Sequence, residues 1–232
     1  HMTIGRVAHI TEGTKPGLGR LNCQFRNRCR RGCPFGAYFS SNSSTLPAAE
    51  ATGNMTLRTN SIVYEVIYDE TNKKASGVKI IDSETNLTYE FKSKIIFMCA
   101  STVPTTSILM QSKSNRFPNG LGNDSDELGH NIMDHHFQIG ANANYDGFED
   151  KYYTGRRPNG IYIPRFQNIG GKTNSKDFLR GYGYQGGASR TDWTKYVKEA
   201  SYGEKLKQVI IKPGKWKMGL NGFGEVLPYH DN

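Results

Sequence analysis

The sequence predicts an α+β protein in which an α/β portion with a β-meander precedes a mostly antiparallel sheet. Short strand patterns separated by charged turns lead into one apolar run that is followed at once by a helical pattern. The second portion alternates aromatic residues with glycines, and the chain's 26 glycines are typical of many turns and irregular strands. With 232 residues, the chain can form one large or two small domains.

A basic loop with three cysteines, Cys23, Cys29 and Cys33, follows a Gly- and Thr-rich opening stretch that we expect to be loop. Three cysteines cannot all pair and Cys99 is far away, so a disulfide framework is not indicated, although two of them could form one bridge. A structural zinc would need a fourth ligand, whereas three thiolates suffice for a three-iron cluster. An iron–sulfur cluster on these cysteines and free or partly oxidised thiols therefore both stay open.

A small β-meander is predicted next. Residues 40–52 read as a short helix that ends at a Gly-Asn pair. Residues 55–68 predict one bent strand or two short ones, and residues 75–81 and 88–91 predict two further strands joined by a hairpin turn. The meander leads into the apolar run.

That run, residues 95–98, predicts a strand buried on both faces. Four small residues and Pro104 then lead into a helical pattern, with Thr105 or Thr106 available as a cap. A strand, tight turn and helix direct backbone N–H groups and the positive end of the helix dipole at one spot, which suits a phosphate. Because the turn has no glycine fingerprint, an ordinary crossover without a ligand fits the residues equally well.

The second portion is predicted to be an antiparallel sheet. Its strand patterns cover residues 137–145, 160–166, 178–184, 215–223 and 224–229, with one helical pattern at 193–206.

The net charge of +9 favours anionic partners, but the basic residues are scattered and show no nucleic-acid-binding motif, so we predict no nucleic acid partner. No run approaches the roughly 18 apolar residues of a membrane helix. His1-Met2 is typical of a cleaved tag and the last residues stop in mid-pattern, so we expect a fragment. The sequence leaves the compartment open, with the bacterial periplasm and cytoplasm as the alternatives.

Four motifs occur in a characteristic order: NMTLRTNSIV at 54–63, ASGV at 75–78, the run and helix at 95–112, and LGHNIMDH at 128–135. Over roughly residues 29–137 this order resembles the middle of the glucose-methanol-choline (GMC) flavoprotein oxidoreductases, in the branch of bacterial sugar dehydrogenases and pyranose oxidases. The cysteine loop is similar to that of flavin-dependent glucose dehydrogenase subunits that carry a three-iron cluster.

The resemblance implies a partial FAD-binding α/β domain over residues 1–136 and a partial substrate domain over residues 137–232. In that substrate domain four residues are candidates to face a sugar, although sheet packing explains each singly: Tyr182, Tyr184, Gln185 and Trp216. It implies that the backbone near Val63 contacts the adenine of FAD, that the turn after the apolar run approaches the dinucleotide, and that the last motif lies beside the flavin. The implied cofactor-binding residues are Val63, Ala100, Ser101, Thr102, Asn131 and Asp134. Ser101 replaces the family's turn glycine, which allows less backbone approach.

The implied activity is oxidation of a CH–OH group of a sugar or polyol, with hydride transfer to the flavin of the full-length protein. The electron acceptor stays open between oxygen, a quinone and an electron-transfer partner such as a cytochrome. Residues 1–136 contain no GxGxxG loop, and the resemblance puts the catalytic histidine beyond the chain's end. We therefore expect an isolated fragment that neither retains FAD nor turns over. The alternative is a non-catalytic carbohydrate-binding or interaction module.

Overall fold

The computed structural model divides into two compact units. It describes residues 1–11, 18–26, 29–136, 139–151, 160–171, 174–178, 180–190, 202–211 and 214–232. The sheet unit joins His1–Met55 to His135–Val226, and the meander unit joins Thr56–Asp134 to Leu227–Asn232. The division into an FAD-binding and a substrate domain stays a prediction.

Three antiparallel strands in sequential order form the predicted meander: β2 (Ser61–Asp69), β3 (Lys74–Asp82) and β4 (Thr88–Lys92). The pattern at 55–68 forms one strand, with a register shift just after Val63. Both turns begin at an aspartate that closes them locally. Asp69 Oδ1 accepts hydrogen bonds from backbone N–H groups two and three residues on, and Asp82 Oδ1 does the same.

Helix α2 (Thr102–Gln111) packs on β2 and completes the small core of the meander unit. Val66, Ile80 and Ile108 are its buried apolar side chains. The hydroxyl of Ser112, which is 2% exposed, accepts the Val66 N–H at 2.8 Å and donates to the Ile108 carbonyl at 2.6 Å. A buried hydroxyl thus ties the end of the helix to the middle of the strand.

The prediction of a buried strand at residues 95–98 is wrong. These residues have no strand conformation, and Ile95 and Phe97 are 69% and 82% exposed. Ile96 and Met98 are half-buried, so the run covers the meander with alternate side chains only. The physical reason is that a strand is defined by its hydrogen-bonded neighbours, and no described strand pairs with this run.

The sheet unit contains a six-stranded antiparallel sheet, as predicted for the second portion. Its strands are β1 (Thr3–Ile4), β5 (His135–His136), β6 (Gly140–Tyr145), β7 (Ile161–Ile163), β8 (Gly183–Arg190) and β9 (Trp216–Glu225). The order is β1-β7-β8-β9-β5, and β6 also pairs with β9. β9 joins the pattern at 215–223 to the first two residues of the pattern at 224–229 and ends at Glu225, so residues 226–229 form no strand.

The helices outside the meander are short. They are α1 (Thr45–Glu50), α3 (Glu204–Ile211) and a 3₁₀ turn at Cys29–Arg31. Of the helical pattern predicted at 193–206, residues 193–201 lie outside the described residues. Within the described part of the chain, no helix has both the length and the apolar character that crossing a membrane requires.

Candidate functional site

The meander unit contains an apolar cavity of about 470 Å³, which we call the meander groove. Val63, Val78 and Phe91 line it from the three strands, and Ile108 lines it from helix α2. The remaining wall is the segment 95–100. The groove therefore lies where the segment covers the sheet and turns into the helix.

Two of the predicted cofactor-binding residues, Val63 and Ala100, line this groove together. Ser101 and Thr102 continue the chain from Ala100 into helix α2. Asn131 and Asp134 do not line the groove. Asn131 has a positive φ of 62°, and its side-chain amide donates to the Glu127 carboxylate, whereas Asp134 is exposed.

Ser101, not Thr105 or Thr106, is the N-cap of helix α2, and its side chain makes no capping hydrogen bond. Its backbone has φ 72° and ψ 170°, a region that is populated almost only by glycine. The serine thus adopts a backbone conformation that suits a glycine better than a serine. The cap prediction failed because this turn lets the helix begin one turn earlier, with Pro104 tolerated in its first turn.

The groove and the helix start together fit part of a dinucleotide. The apolar walls suit the face of an aromatic ring system. The first helical turn contains no acidic residue. The backbone N–H groups of Thr102 and Val103 lie in that turn, so the helix itself offers them no hydrogen-bond acceptor. Such a helix start favours a phosphate. The groove therefore fits one aromatic ring, and the N–H groups at the start of the helix fit one phosphate.

The three cysteines, Cys23, Cys29 and Cys33, are half-buried, and none of them is in a disulfide bond. Cys29 Sγ lies 3.5 Å from His9 Nε2. Burial opposes ionisation of Cys33, but backbone N–H groups within residues 35–38 and the charge of Arg26 outweigh it, so the pKa of Cys33 is lowered. Among the described residues, no group of three His, Cys, Asp or Glu side chains is placed to hold a metal ion. The iron–sulfur hypothesis therefore gains no support from the geometry.

The sheet unit contains a second cavity of about 470 Å³, the sheet cavity, which is polar. Of the residues predicted to face a sugar, Tyr182 and Gln185 line it. Tyr184 does not line it and packs edge-on against Tyr182 with ring centroids 5.5 Å apart. Trp216 donates its indole N–H to the carbonyl of Phe148 at 3.1 Å and does not line the cavity either.

Several functional candidates in this cavity were not identified from the sequence: His135, Tyr162, Arg165, Arg180 and Glu225. The strand register brings three of them together, because Tyr162 pairs with Gln185 and His135 pairs with Glu225. A strand pattern read with the correct register would have placed these side chains on one face. The two arginines lie outside the strands, so no alternating pattern in the sequence could identify them.

The sequence model of the GMC oxidoreductase family matches residues 20–137. Fructose dehydrogenase large subunit from Gluconobacter japonicus is 26% identical over 122 residues, which are 53% of this chain and 22% of that protein. 2-Methyl-1,2-propanediol dehydrogenase from Mycolicibacterium austroafricanum is 27% identical over 230 residues, 94% of this chain and 39% of that protein. The chain thus spans between a fifth and two fifths of the length of these relatives.

Proposed function

The chain belongs to the GMC oxidoreductase family, and on that premise we propose that it supplies part of the cofactor site and a substrate-facing sheet of an FAD-dependent oxidoreductase. The reaction is oxidation of a CH–OH group of a sugar or polyol. The observation that carries the proposal is the meander groove, in which Val63 and Ala100 meet at the start of helix α2. This groove lies entirely within the span that matches the family.

When bound, FAD supplies the hydride acceptor for such an oxidation. The groove holds the adenine ring against Val63, and the N–H groups at the start of α2 bind a phosphate oxygen. Ser101 keeps the turn open by its left-handed backbone. Asn131 and Asp134 lie beside the flavin ring. We assign no catalytic base to this chain, and the isolated 232 residues are expected to bind FAD weakly and to be inactive.

The substrate class rests on the relatives' names, a fructose dehydrogenase and a 2-methyl-1,2-propanediol dehydrogenase, both of which denote hydroxylated compounds. Family membership favours this oxidoreductase over the non-catalytic carbohydrate-binding alternative. The reduced flavin also needs an acceptor, which we propose to be an electron-transfer partner. A metal cluster has no part in the proposal.

The experiment compares Val63→Trp with Ile62→Trp in the full-length protein. Val63 lines the groove, whereas its neighbour Ile62 does not and is 55% exposed. We expect Val63→Trp to lower FAD affinity by about tenfold or more, because the indole fills the space of the adenine ring, and Ile62→Trp to leave it unchanged. Equal FAD affinity in both variants would show that the groove does not bind FAD.

Turnover is tested on the same protein by adding fructose, sorbitol or 1,2-propanediol without oxygen and following the flavin absorbance. We expect bleaching by at least one of these compounds and none by their deoxygenated analogues. If none of the hydroxylated compounds reduces the flavin, the proposed reaction is wrong, whereas the proposed cofactor site is unaffected.

A further inference from the structure

The sheet cavity has the lining of a site for an anionic ligand. We propose that it binds an anionic sugar or polyol, a sugar acid or a sugar phosphate, with the acid group held by Arg165 and Arg180. This inference rests on the proposed function for its claim that the ligand is the substrate. The binding itself depends only on residues of the sheet unit.

The floor of the cavity is one face of the sheet. Gln185 pairs with Tyr162, and two residues earlier Gly183 pairs with Phe223. Two residues further along β9, Glu225 pairs with His135. Because side chains alternate between the faces of a sheet, these positions share one face. A hydroxyl, an amide, a carboxylate and an aromatic ring on one surface suit a ligand with several hydroxyl groups.

The wall of the cavity carries the positive charge. Arg165 and Arg180 both line it, and neither guanidinium forms an ion pair with a described carboxylate. Glu225 is the acidic residue among those that line it. Two permanently charged, forked donors match the paired oxygens of a carboxylate or phosphate. A neutral sugar would leave both of them unmatched, so the charge favours an acid.

Asn168 holds the two arginine-bearing segments together. Arg165 Nη2 donates to the Asn168 carbonyl at 3.3 Å, and the Asn168 side-chain amide donates to the carbonyls of Arg180 and, at 2.9 Å, Phe178. Asn168 Oδ1 accepts the N–H of Ser175 at 2.8 Å. Its φ of 53° is left-handed, which asparagine tolerates better than most residues. Asn168 is thus a positioning residue for the anion site.

Gly181 reserves the space in which the Arg165 side chain lies. A Cβ at this position would collide with the middle of the Arg165 side chain and lie 3.0 Å from the Gln167 carbonyl. Any side chain here must therefore push Arg165 aside. The combination of a glycine, a left-handed asparagine and two arginines without ion pairs is a structured wall, which scattered surface charges do not provide.

The test is calorimetric titration of the 232-residue chain with gluconate, glucose 6-phosphate, inorganic phosphate and the neutral polyol sorbitol. We expect gluconate or glucose 6-phosphate to bind at least about tenfold more tightly than sorbitol, as expected for charge-assisted hydrogen bonds. The tighter of the two identifies the acid group. Sorbitol binding as tightly as both, or no binding of either acid, would overturn the proposal. Phosphate binding as tightly as glucose 6-phosphate would overturn the role of the hydroxyl-binding face.

Arg165→Gln and Arg180→Gln should each weaken binding of the acid by about tenfold. Lys176→Gln is the matched control, because it removes a positive charge near these residues from a side chain that does not line the cavity. We expect it to change affinity by no more than about twofold. Equal losses in all three variants would mean that long-range charge, not a site, attracts the anion.

Gly181→Ala separates positioning from folding. It should weaken binding of the acid and leave sorbitol binding and the circular dichroism spectrum unchanged, because the added Cβ collides chiefly with the Arg165 side chain. If the glutamine variants fail to fold, Arg165→Lys and Arg180→Lys keep the charge and lose the fork, and the acid should still bind more weakly to them. Undiminished binding in both lysine variants would contradict the arginine assignment.

This titration needs no flavin, so its failure is distinct from failure of the proposed function. If the chain binds gluconate but the full-length protein does not bind FAD, the anion site is supported and the oxidoreductase proposal is wrong. If only neutral sugars reduce the flavin, the oxidoreductase proposal stands and the claim that the bound acid is the substrate is wrong.

Discussion

The meander groove and the sheet cavity have nearly the same volume, but they are built in opposite ways. The groove is lined by apolar residues from one continuous stretch, residues 63–108, and lies on a three-stranded meander. The sheet cavity is lined by charged, polar and aromatic residues from positions 135–225, which strand pairing and loop hydrogen bonds bring together. The groove offers shape and an apolar surface, whereas the cavity offers charge and hydrogen bonds.

This difference determines what each site can tolerate. The groove depends on three buried side chains and one buried hydroxyl. Removing one of them costs packing or an unsatisfied hydrogen bond, so the largest effects on stability are expected in the meander unit. The sheet cavity is formed by exposed or half-buried side chains, and substitutions there should change recognition more than stability.

The largest effect is expected for Ile80→Ala. Ile80 is 2% exposed and lies in the middle of β3, so truncation should leave a cavity and lower the free energy of unfolding by about 3 kcal/mol. The control is Ile62→Ala on the paired strand, where the side chain is mostly exposed, with an expected loss below about 1 kcal/mol. Urea unfolding measures both. Similar losses would show that the meander has no distinct core.

Ser112→Ala should come next. It removes the hydroxyl that accepts the hydrogen bond of the buried Val66 N–H. We expect a loss of about 2 kcal/mol in the free energy of unfolding. Ser107→Ala, on the exposed side of the same helix, should cost less than about 0.5 kcal/mol. If the two alanine variants unfold at the same urea concentration, the hydroxyl bridge does not hold helix α2 on the sheet.

The sequence predicted the meander well because its information is local. Alternating apolar residues and aspartate-led turns specify β2, β3 and β4 without reference to distant residues. The failure at residues 95–98 has the same origin. An apolar run shows that side chains can be buried, but a strand needs partners, which the run itself does not encode.

The sheet cavity could be predicted only in part. Aromatic strands and glycines indicated the antiparallel sheet, and Gln185 was identified from them. Tyr184 was wrongly included because adjacent strand residues face opposite sides, so Tyr184 and Gln185 cannot both face one cavity. Arg165 and Arg180 lie in loops that are joined through the Asn168 amide, a contact that no periodic pattern reveals.

Ser101→Gly should stabilise the meander unit slightly. Ser101 adopts a glycine-type backbone conformation, with φ 72° and ψ 170°, which is strained for a serine. Relief of that strain should outweigh the larger conformational entropy that a glycine loses on folding. The free energy of unfolding should therefore rise by about 1 kcal/mol. Ser107→Gly, inside the helix, should instead cost about 0.5 kcal/mol. Urea unfolding decides the sign. A destabilised Ser101→Gly would show that the serine side chain has a role that the backbone does not explain.

The smallest effect is expected for Asp82→Asn, and it should depend on pH. Backbone N–H groups of Thr85 and Glu84 bond the Asp82 carboxylate, Arg58 lies 2.7 Å away, and together they hold the pKa of Asp82 below its ordinary value of 3.8. A carboxyl whose pKa is lowered by folding contributes stability above its unfolded pKa. That contribution is lost as the pH falls through the lowered folded pKa.

The wild-type chain should therefore unfold at lower urea concentrations below about pH 4, the range in which Asp82 becomes protonated. Asp82→Asn should be less stable than wild type at pH 7, and the difference should shrink as the pH falls through the lowered pKa of Asp82, because protonation makes this carboxyl neutral like the asparagine amide. Asp126→Asn, an exposed carboxylate of the same unit, is the control and should run parallel to wild type at both pH values. A constant difference between Asp82→Asn and wild type from pH 7 to pH 3 would mean that the turn is held by the shape of the side chain and not by its charge.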